Sequence, residues 1–174
     1  MYCKNEYGPD FKLMNIEIVR ADYANAEHRA AIAYLLNCYA QDKMGGGAAL
    51  ADHVKANIAE ELARLPHAFS LLCYVDGEAA GLANCFEGFS TFKCKPLINV
   101  HDVIVLGSFR GLGLSQRMLS SIEDIAKEKG CCKLTLEVLE GNDVAQNAYK
   151  KFGFAGYELD PEMGRAMFWQ KPLM

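Results

Sequence analysis

The chain has 174 residues, a formal charge of −4 and a pI near 5.6, with 51% hydrophobic and 23% charged residues. That length supports one domain burying roughly 70% of the surface its unfolded form exposes, and the composition excludes a largely disordered chain. The acidic balance argues against nucleic acid as a main partner, because a duplex-binding protein presents a basic face.

Residues 1–12 are polar and contain Gly8-Pro9, so they read as a tail or lead-in, with one domain over 13–174. They carry no apolar core of a secretory signal. The longest apolar run, Ala30 to Leu36, falls far short of the roughly 18 residues a membrane span needs. The cysteines number seven and have no metal-ligand spacing. The expectation is therefore a cytoplasmic protein with reduced, buried thiols, no membrane partner and no metal.

Ile16 to Val19 reads as a first strand. Asp22 is placed to cap a helix reaching about Ala40, and Gly45-Gly46-Gly47 then breaks the chain. A second helix is expected from about Leu50 to Leu65, stopped by Pro66. Ser70 to Val75 and Glu78 to Phe86 read as strands joined by Asp76-Gly77, a strong hairpin signal. Asn99 to Leu106 is a further strand, followed by a glycine loop and a helix running to Lys129, with Gly130 placed to end it. Cys132 to Leu139 reads as a strand, Asp143 to Phe152 as a helix, and short strands near Tyr157 and Phe168 close the chain. The order β-α-α-β-β-β-α-β-α-β-β implies an α/β (α+β) domain, a mixed central sheet flanked by helices.

The most informative segment is the run from Val103 to Ser115, where a buried strand enters a glycine turn that opens a helix. The first turn of a helix offers unpaired N–H groups and the positive end of the macrodipole, and glycine lets an anion come close. Arg110 adds a charge-assisted contact. A P-loop is excluded because neither Gly111 nor Gly113 precedes lysine. A dinucleotide fingerprint meets Gln116 where it needs glycine or alanine, although Glu137 lies at the distance of a ribose-binding acid.

The run Arg110-x-x-Gly113-x-Ser115 resembles the pyrophosphate loop of the GCN5-related N-acetyltransferase (GNAT) superfamily. Its second signature is matched by Asn142-x-x-Ala145-x-x-x-Tyr149-x-x-x-Gly153-Phe154. Ser115 departs from the pattern, which prefers glycine or alanine there. The resemblance implies acetyl transfer from acetyl-CoA directly to an amine of a small molecule or a protein. It implies that the pantetheine arm lies along Val103, Ile104 and Val105. The pyrophosphate would sit on Arg110, Gly111, Leu112, Gly113, Leu114 and Ser115, with Asn142 contacting the arm or capping its helix. Tyr149 holds the family position of the acid beside the thioester sulfur. Homodimers are common among such folds, and nothing in this chain shows one.

An amine with a lysine-like pKa near 10.4 costs about 4–5 kcal/mol to hold neutral at pH 7, so a base is needed. Strand alternation puts Asn99, His101, Val103 and Val105 on one face, which makes His101 the first candidate. Glu137 is the second and Asp102, expected on the opposite face, the third. The resemblance implies acceptor residues from the first two helices, their junction and the middle hairpin, here Tyr39 to Leu50 and Phe86 to Lys95, including Phe89 and Phe92 and the carboxylates Asp42 and Glu87. Gly45-Gly46-Gly47 reads as a linker rather than a lid. The competing reading is a non-catalytic acyl-CoA-binding regulatory module.

Overall fold

A computed structural model describes residues 14–157, 160, 162, 164 and 166–173, so the expected lead-in at 1–12 lies outside the described residues. The elements are β1 (Ile16–Arg20), α1 (Ala26–Gln41), α2 (Asp52–Ala63), β2 (Ala68–Val75), β3 (Glu78–Ser90) and β4 (Lys95–Val105), then α3 (Leu114–Glu128), β5 (Leu134–Thr135) and α4 (Asp143–Phe152). They form a five-stranded sheet in the order β1-β2-β3-β4-β5. The first four strands pair antiparallel, and β5 joins β4 in parallel.

Local chemistry explains most boundaries. Asn25, rather than Asp22, caps α1, its Oδ1 accepting from the N–H groups of Glu27 and His28. Asp22 instead closes the preceding turn by accepting from the Ala24 N–H. Asp76 and Gly77 both adopt positive φ, 49° and 84°, as a tight two-residue hairpin between β2 and β3 requires. Gly130, at φ 67°, follows α3, where a left-handed residue releases the chain from the helix.

Each face of the sheet has its own core. On one, α3 presents Leu114, Met118, Leu119, Ile122 and Ala126, a helical stripe, to Cys73, Ala83, Cys85, Ile98 and Val100. On the other, Ile32 and Leu35 of α1 and Ala59 and Leu62 of α2 cover Leu72, Leu82 and Ile104. Each fully buried Leu or Ile contributes about 1.5–3 kcal/mol of transfer energy, so both faces are covered by strong packing.

Among the described residues the thiols are free, and Cys73 and Cys85 are the buried ones; Cys38, Cys131 and Cys132 are partly exposed and Cys94 is exposed. The expectation of uniformly buried thiols is corrected to that extent. Among the described residues no helix is long and apolar enough to cross a membrane.

Two differences from the expected element order matter for the site. The strand expected over Cys132–Leu139 pairs only at Leu134 and Thr135, opposite Ile98 and Asn99. Beyond Asn99 that edge of β4 has no strand partner among the described residues. The strands expected near Tyr157 and Phe168 are not formed among the described residues. A single 3.5 Å hydrogen bond from the Ala166 N–H to the Tyr157 carbonyl links that stretch, and so short a β5 leaves it no ladder to extend.

Candidate active site

The open edge of β4 faces a cavity of about 590 Å³. Its backbone phase follows from one bond: the Leu106 N–H donates to the Ala80 carbonyl, so the amide and carbonyl of Leu106's neighbour Val105, and of Val103, point away from β3. The Val105 carbonyl accepts from Arg110 Nε at 3.3 Å. Across the cavity stand Asn142, Val144, Ala145, Ala148 and Tyr149 of the α4 segment.

At one end the glycine turn opens α3. Gly111 and Gly113 have φ of 87° and 73°, and no atom lies within 4 Å of where a Cβ would stand on either. The Arg117 N–H is the first to bond back into the helix, to the Gly113 carbonyl. The N–H groups of Leu114, Ser115 and Gln116 therefore have no intrahelical acceptor. Leu114 anchors the turn through its side chain, only 1% exposed, while its backbone lines the cavity. Leu112 does not line it; its side chain packs on the sheet core beside α3. Arg110 reaches Asp42 at 3.2 Å, an exposed pair of the kind that contributes little stability and yields readily to a stronger anion. The Met44 N–H and then Arg110 hold the Asp42 carboxyl below the usual carboxylate range.

These features fit a ligand with a phosphate-rich end and an extended arm. The turn has unpaired N–H groups and room that a Cβ would fill, and the β4 edge offers backbone groups for an added strand-like chain.

Tyr149 sits at the far wall. Asn142 caps α4, its Oδ1 accepting from the Ala145 N–H at 3.2 Å. Gly153, at φ 107°, ends the helix and turns Phe154 back so that its ring meets Tyr149 edge-on at 5.9 Å. Burial, with Tyr39 nearby as a lesser cause, pushes the Tyr149 hydroxyl up to about 12. It is a proton donor throughout the ordinary pH range.

Tyr39 also lines a second cavity of about 330 Å³, with Leu36, Ile58, Leu62, Phe86, His101 and Asp102 among its walls. The expected alternation fails here for a specific reason. Asn84 pairs with Asp102 and Cys85 with Val100, so His101 is the extra residue of a β-bulge. The bulge swings His101 onto the ring of Phe86, at 5.4 Å edge-on, on the α1/α2 side, while Val103 and Val105 pack on the α3 side. His101 and Asp102 thus line one cavity together, and His101 does not share the face of Val103 and Val105.

Sequence reasoning also missed what lies behind Asp102. Asn84 Nδ2 donates to Asp102 Oδ2 at 3.0 Å, and Ser70 Oγ donates to Asn84 Oδ1 at 2.7 Å. Because the Ser70 proton is committed to Asn84, the Tyr23 hydroxyl at 2.9 Å is the donor to Ser70. Ser70 and Asn84 are buried. The one available signal was a polar residue inside each of two apolar strands, Ser70 in β2 and Asn84 in β3.

The other candidates fall outside both cavities. Glu137 accepts from Asn99 Nδ2 at 3.3 Å and lines neither. Glu87 pairs with Lys129 at 2.8 Å. Phe89 and Phe92 are exposed and line neither cavity.

The triple glycine is tied down. Asp42 caps its start, its carbonyl accepting from Gly45 and Gly47, while the Leu50 N–H donates to Asn37 Oδ1. A Cβ on Gly45 would run into the Tyr39 carbonyl. Gly45→Ala is therefore expected to displace this turn and lower the melting midpoint by about 2–8 °C, for an overpacking cost of about 1–2 kcal/mol. Gly47→Ala has open space but a φ of 75°, so its cost is left-handed backbone strain and not a clash; an unchanged midpoint for Gly45→Ala would contradict the clash.

The acetyltransferase (GNAT) family model matches residues 32–154. Aminoglycoside N(6')-acetyltransferase type 1 of Salmonella typhimurium is 24% identical over 115 residues, covering 64% of this chain and 75% of that protein. The putative [ribosomal protein bS18]-alanine N-acetyltransferase of Bacillus subtilis is 29% identical over 99 residues, 57% of this chain and 62% of its own. Among solved structures, aminoglycoside acetyltransferase AAC(6')-Iy bound to the bisubstrate analogue CoA-S-monomethyl-acetylneamine superposes with a TM-score of 0.71. It is 20% identical, covering 91% of this chain and 99% of that one, a likeness of fold.

Proposed function

Because the chain belongs to the acetyltransferase (GNAT) family, we propose how its own residues carry out acetyl-CoA-dependent N-acetylation of a primary amine. Acetyl-CoA, when bound, supplies the acetyl group as a thioester activated toward attack by a neutral amine. The observation that carries the reading is that the anion-ready glycine turn, the unpaired β4 edge and the protonated Tyr149 hydroxyl share one cavity.

Arg110 would exchange Asp42 for phosphate oxygens, and the N–H groups of Leu114, Ser115 and Gln116, with Gly113 leaving room beside them, would receive the same charge. Ser115 is small enough to keep the first turn of α3 open. The outward N–H groups of Val103 and Val105 would hold the arm and polarise the reacting carbonyl as fixed dipoles. Tyr149 donates its proton, or a hydrogen bond, to the departing sulfur; a thiol with pKa near 8.5 is a fair leaving group, so this help is real without being indispensable.

The amine enters from the second cavity, across Tyr39, where His101 and Asp102 are placed to accept its proton. Glu137 would act only through water from its position beside Asn99. The relatives act, by name, on aminoglycosides, thialysine or the alanine of a ribosomal protein, and we favour a small-molecule acceptor because the second cavity is compact. A non-catalytic acyl-CoA-binding module is not favoured, since these relatives are named as acetyltransferases.

Saturating acetyl-CoA is expected to raise the melting midpoint by about 5–10 °C, from about 2.7 kcal/mol of linkage at a hundred times the dissociation constant. NAD and ATP at the same concentration should do far less. A larger shift with NAD, or none with acetyl-CoA, would remove this reading.

A further inference from the structure

We propose that the second cavity is a seat for a compact primary monoamine with an apolar body, its ammonium received by the Asp102 carboxylate. The inference rests on the acetyltransferase reading and narrows its acceptor.

The first argument is charge. Asp102 is half-buried, yet among the described residues it has no cationic partner, and its one side-chain hydrogen bond comes from Asn84 onto Oδ2. Oδ1 is left for another donor. A half-buried carboxylate without a counter-ion is costly, and an ammonium group meets that cost directly.

The second argument is aim. The chain Tyr23 to Ser70 to Asn84 to Asp102 runs one way, every donor pointing toward the carboxylate. The Asn84 amide is locked by Ser70 on its oxygen side, so its N–H₂ can face only Asp102. Asn84 is thus a positioning residue, and a buried network satisfied at every member fixes one rotamer of the group it ends on.

The third argument is the rest of the wall. Leu36, Leu50, Ile58 and Leu62 give an aliphatic surface, and Tyr39 and Phe86 add aromatic rings to the wall that Asp102 also lines. Aromatic faces with one carboxylate suit a single cation on an apolar stem. Asp102 is the one carboxylate among the lining residues, and the other titratable groups there are Tyr39 and His101. A polycationic, hydroxyl-rich amine would leave most of its charges and hydroxyls without partners and desolvated.

The test uses the full chain with three probes: 2-phenylethylamine, neamine, and a hexapeptide with an N-terminal alanine. Acetyl-CoA affinity is measured by calorimetry, turnover by thiol release, and phenylethylamine binding by calorimetry without acetyl-CoA. We expect kcat/KM for phenylethylamine to exceed that for neamine and the peptide by at least about tenfold. Asp102→Asn should raise the phenylethylamine KM and dissociation constant about 10- to 100-fold, the range of a lost charged hydrogen bond, while acetyl-CoA affinity stays unchanged. Asp102→Glu should recover part of the loss. Asn84→Ala should raise the same KM severalfold at unchanged acetyl-CoA affinity, and Tyr23→Phe at the far end of the chain reads the same link if Asn84→Ala does not fold. Preferred turnover of neamine or the peptide, no binding of phenylethylamine, or an indifferent Asp102→Asn would overturn the monoamine seat. Absence of acetyl-CoA binding by the unaltered chain would instead overturn the acetyltransferase reading, which the amine calorimetry does not depend on.

Discussion

Gly113→Val is expected to weaken acetyl-CoA binding by about two to four orders of magnitude while leaving a folded protein. The space a side chain would enter at Gly113 contains no protein atom within 4 Å, so the native fold does not resist it sterically. That space is where the phosphate must sit if it is to reach the first N–H groups of α3. A branched side chain pushes the anion away from two or more charge-assisted bonds, each about 1.5–3 kcal/mol, which gives the expected loss. The backbone adds a separate and smaller penalty. Gly113 has φ 73°, and a β-branched residue in the left-handed region costs about 1–2 kcal/mol, a fall of a few degrees in the melting midpoint. Calorimetric titration and a melt separate the terms: affinity should collapse while the midpoint moves modestly. Unchanged affinity would mean that the turn is only a turn. Gly111→Val, at φ 87° with the same open space, should follow the same pattern.

The glycine turn and α4 were legible in the sequence because their chemistry is local. A glycine at a helix start, an asparagine cap at Asn142 and a glycine stop at Gly153 each act within a turn of where they stand. The expected limits of α4, Asp143 to Phe152, are those observed. What the sequence concealed is set by partners distant along the chain. The bulge at His101 arises because β3 places Asn84 and Cys85 against residues two apart on β4, and strict alternation cannot anticipate that. It moved His101 off the face of Val103 and put it beside Asp102. The Tyr23, Ser70 and Asn84 chain spans α1's lead-in and two strands, so its members are unremarkable singly. The strands expected after Thr135 are not formed among the described residues for the same reason: they needed an edge that β5, as short as it is, does not extend. Asp42 shows the mixed case. It lies in the stretch expected to meet the acceptor, yet the structure gives it to Arg110 at the mouth of the first cavity.

Tyr149→Phe tests the chemistry rather than the seat, and its expected result is a fall in kcat of about 10- to 100-fold with acetyl-CoA affinity within a few-fold of the original. The size follows from the leaving group. A thiol ionises near pH 8.5, so expulsion without a donor is slower but feasible, which places the effect at the low end of acid catalysis. Phenylalanine keeps the ring that meets Phe154 edge-on, so the wall of the cavity stays and only the hydroxyl goes. The pH dependence carries a sign. Burial pushes the Tyr149 hydroxyl up to about 12, above the value near 10 of an unfolded chain. The neutral form is favoured in the native state, so this contribution to stability is whole below pH 10 and is lost between about pH 10 and 12 as the unfolded chain sheds its proton first. Tyr23, Tyr39 and Tyr74 are raised as well, chiefly by burial, and act in the same direction. Comparing the unaltered protein with Tyr149→Phe removes what they share: the unaltered midpoint should fall more steeply above pH 10. Below pH 10 the rate should show no alkaline loss from Tyr149, because its proton is still in place. A variant with undiminished kcat, or with identical alkaline melts, would take the proton-donating role away from this hydroxyl and leave it as part of the wall.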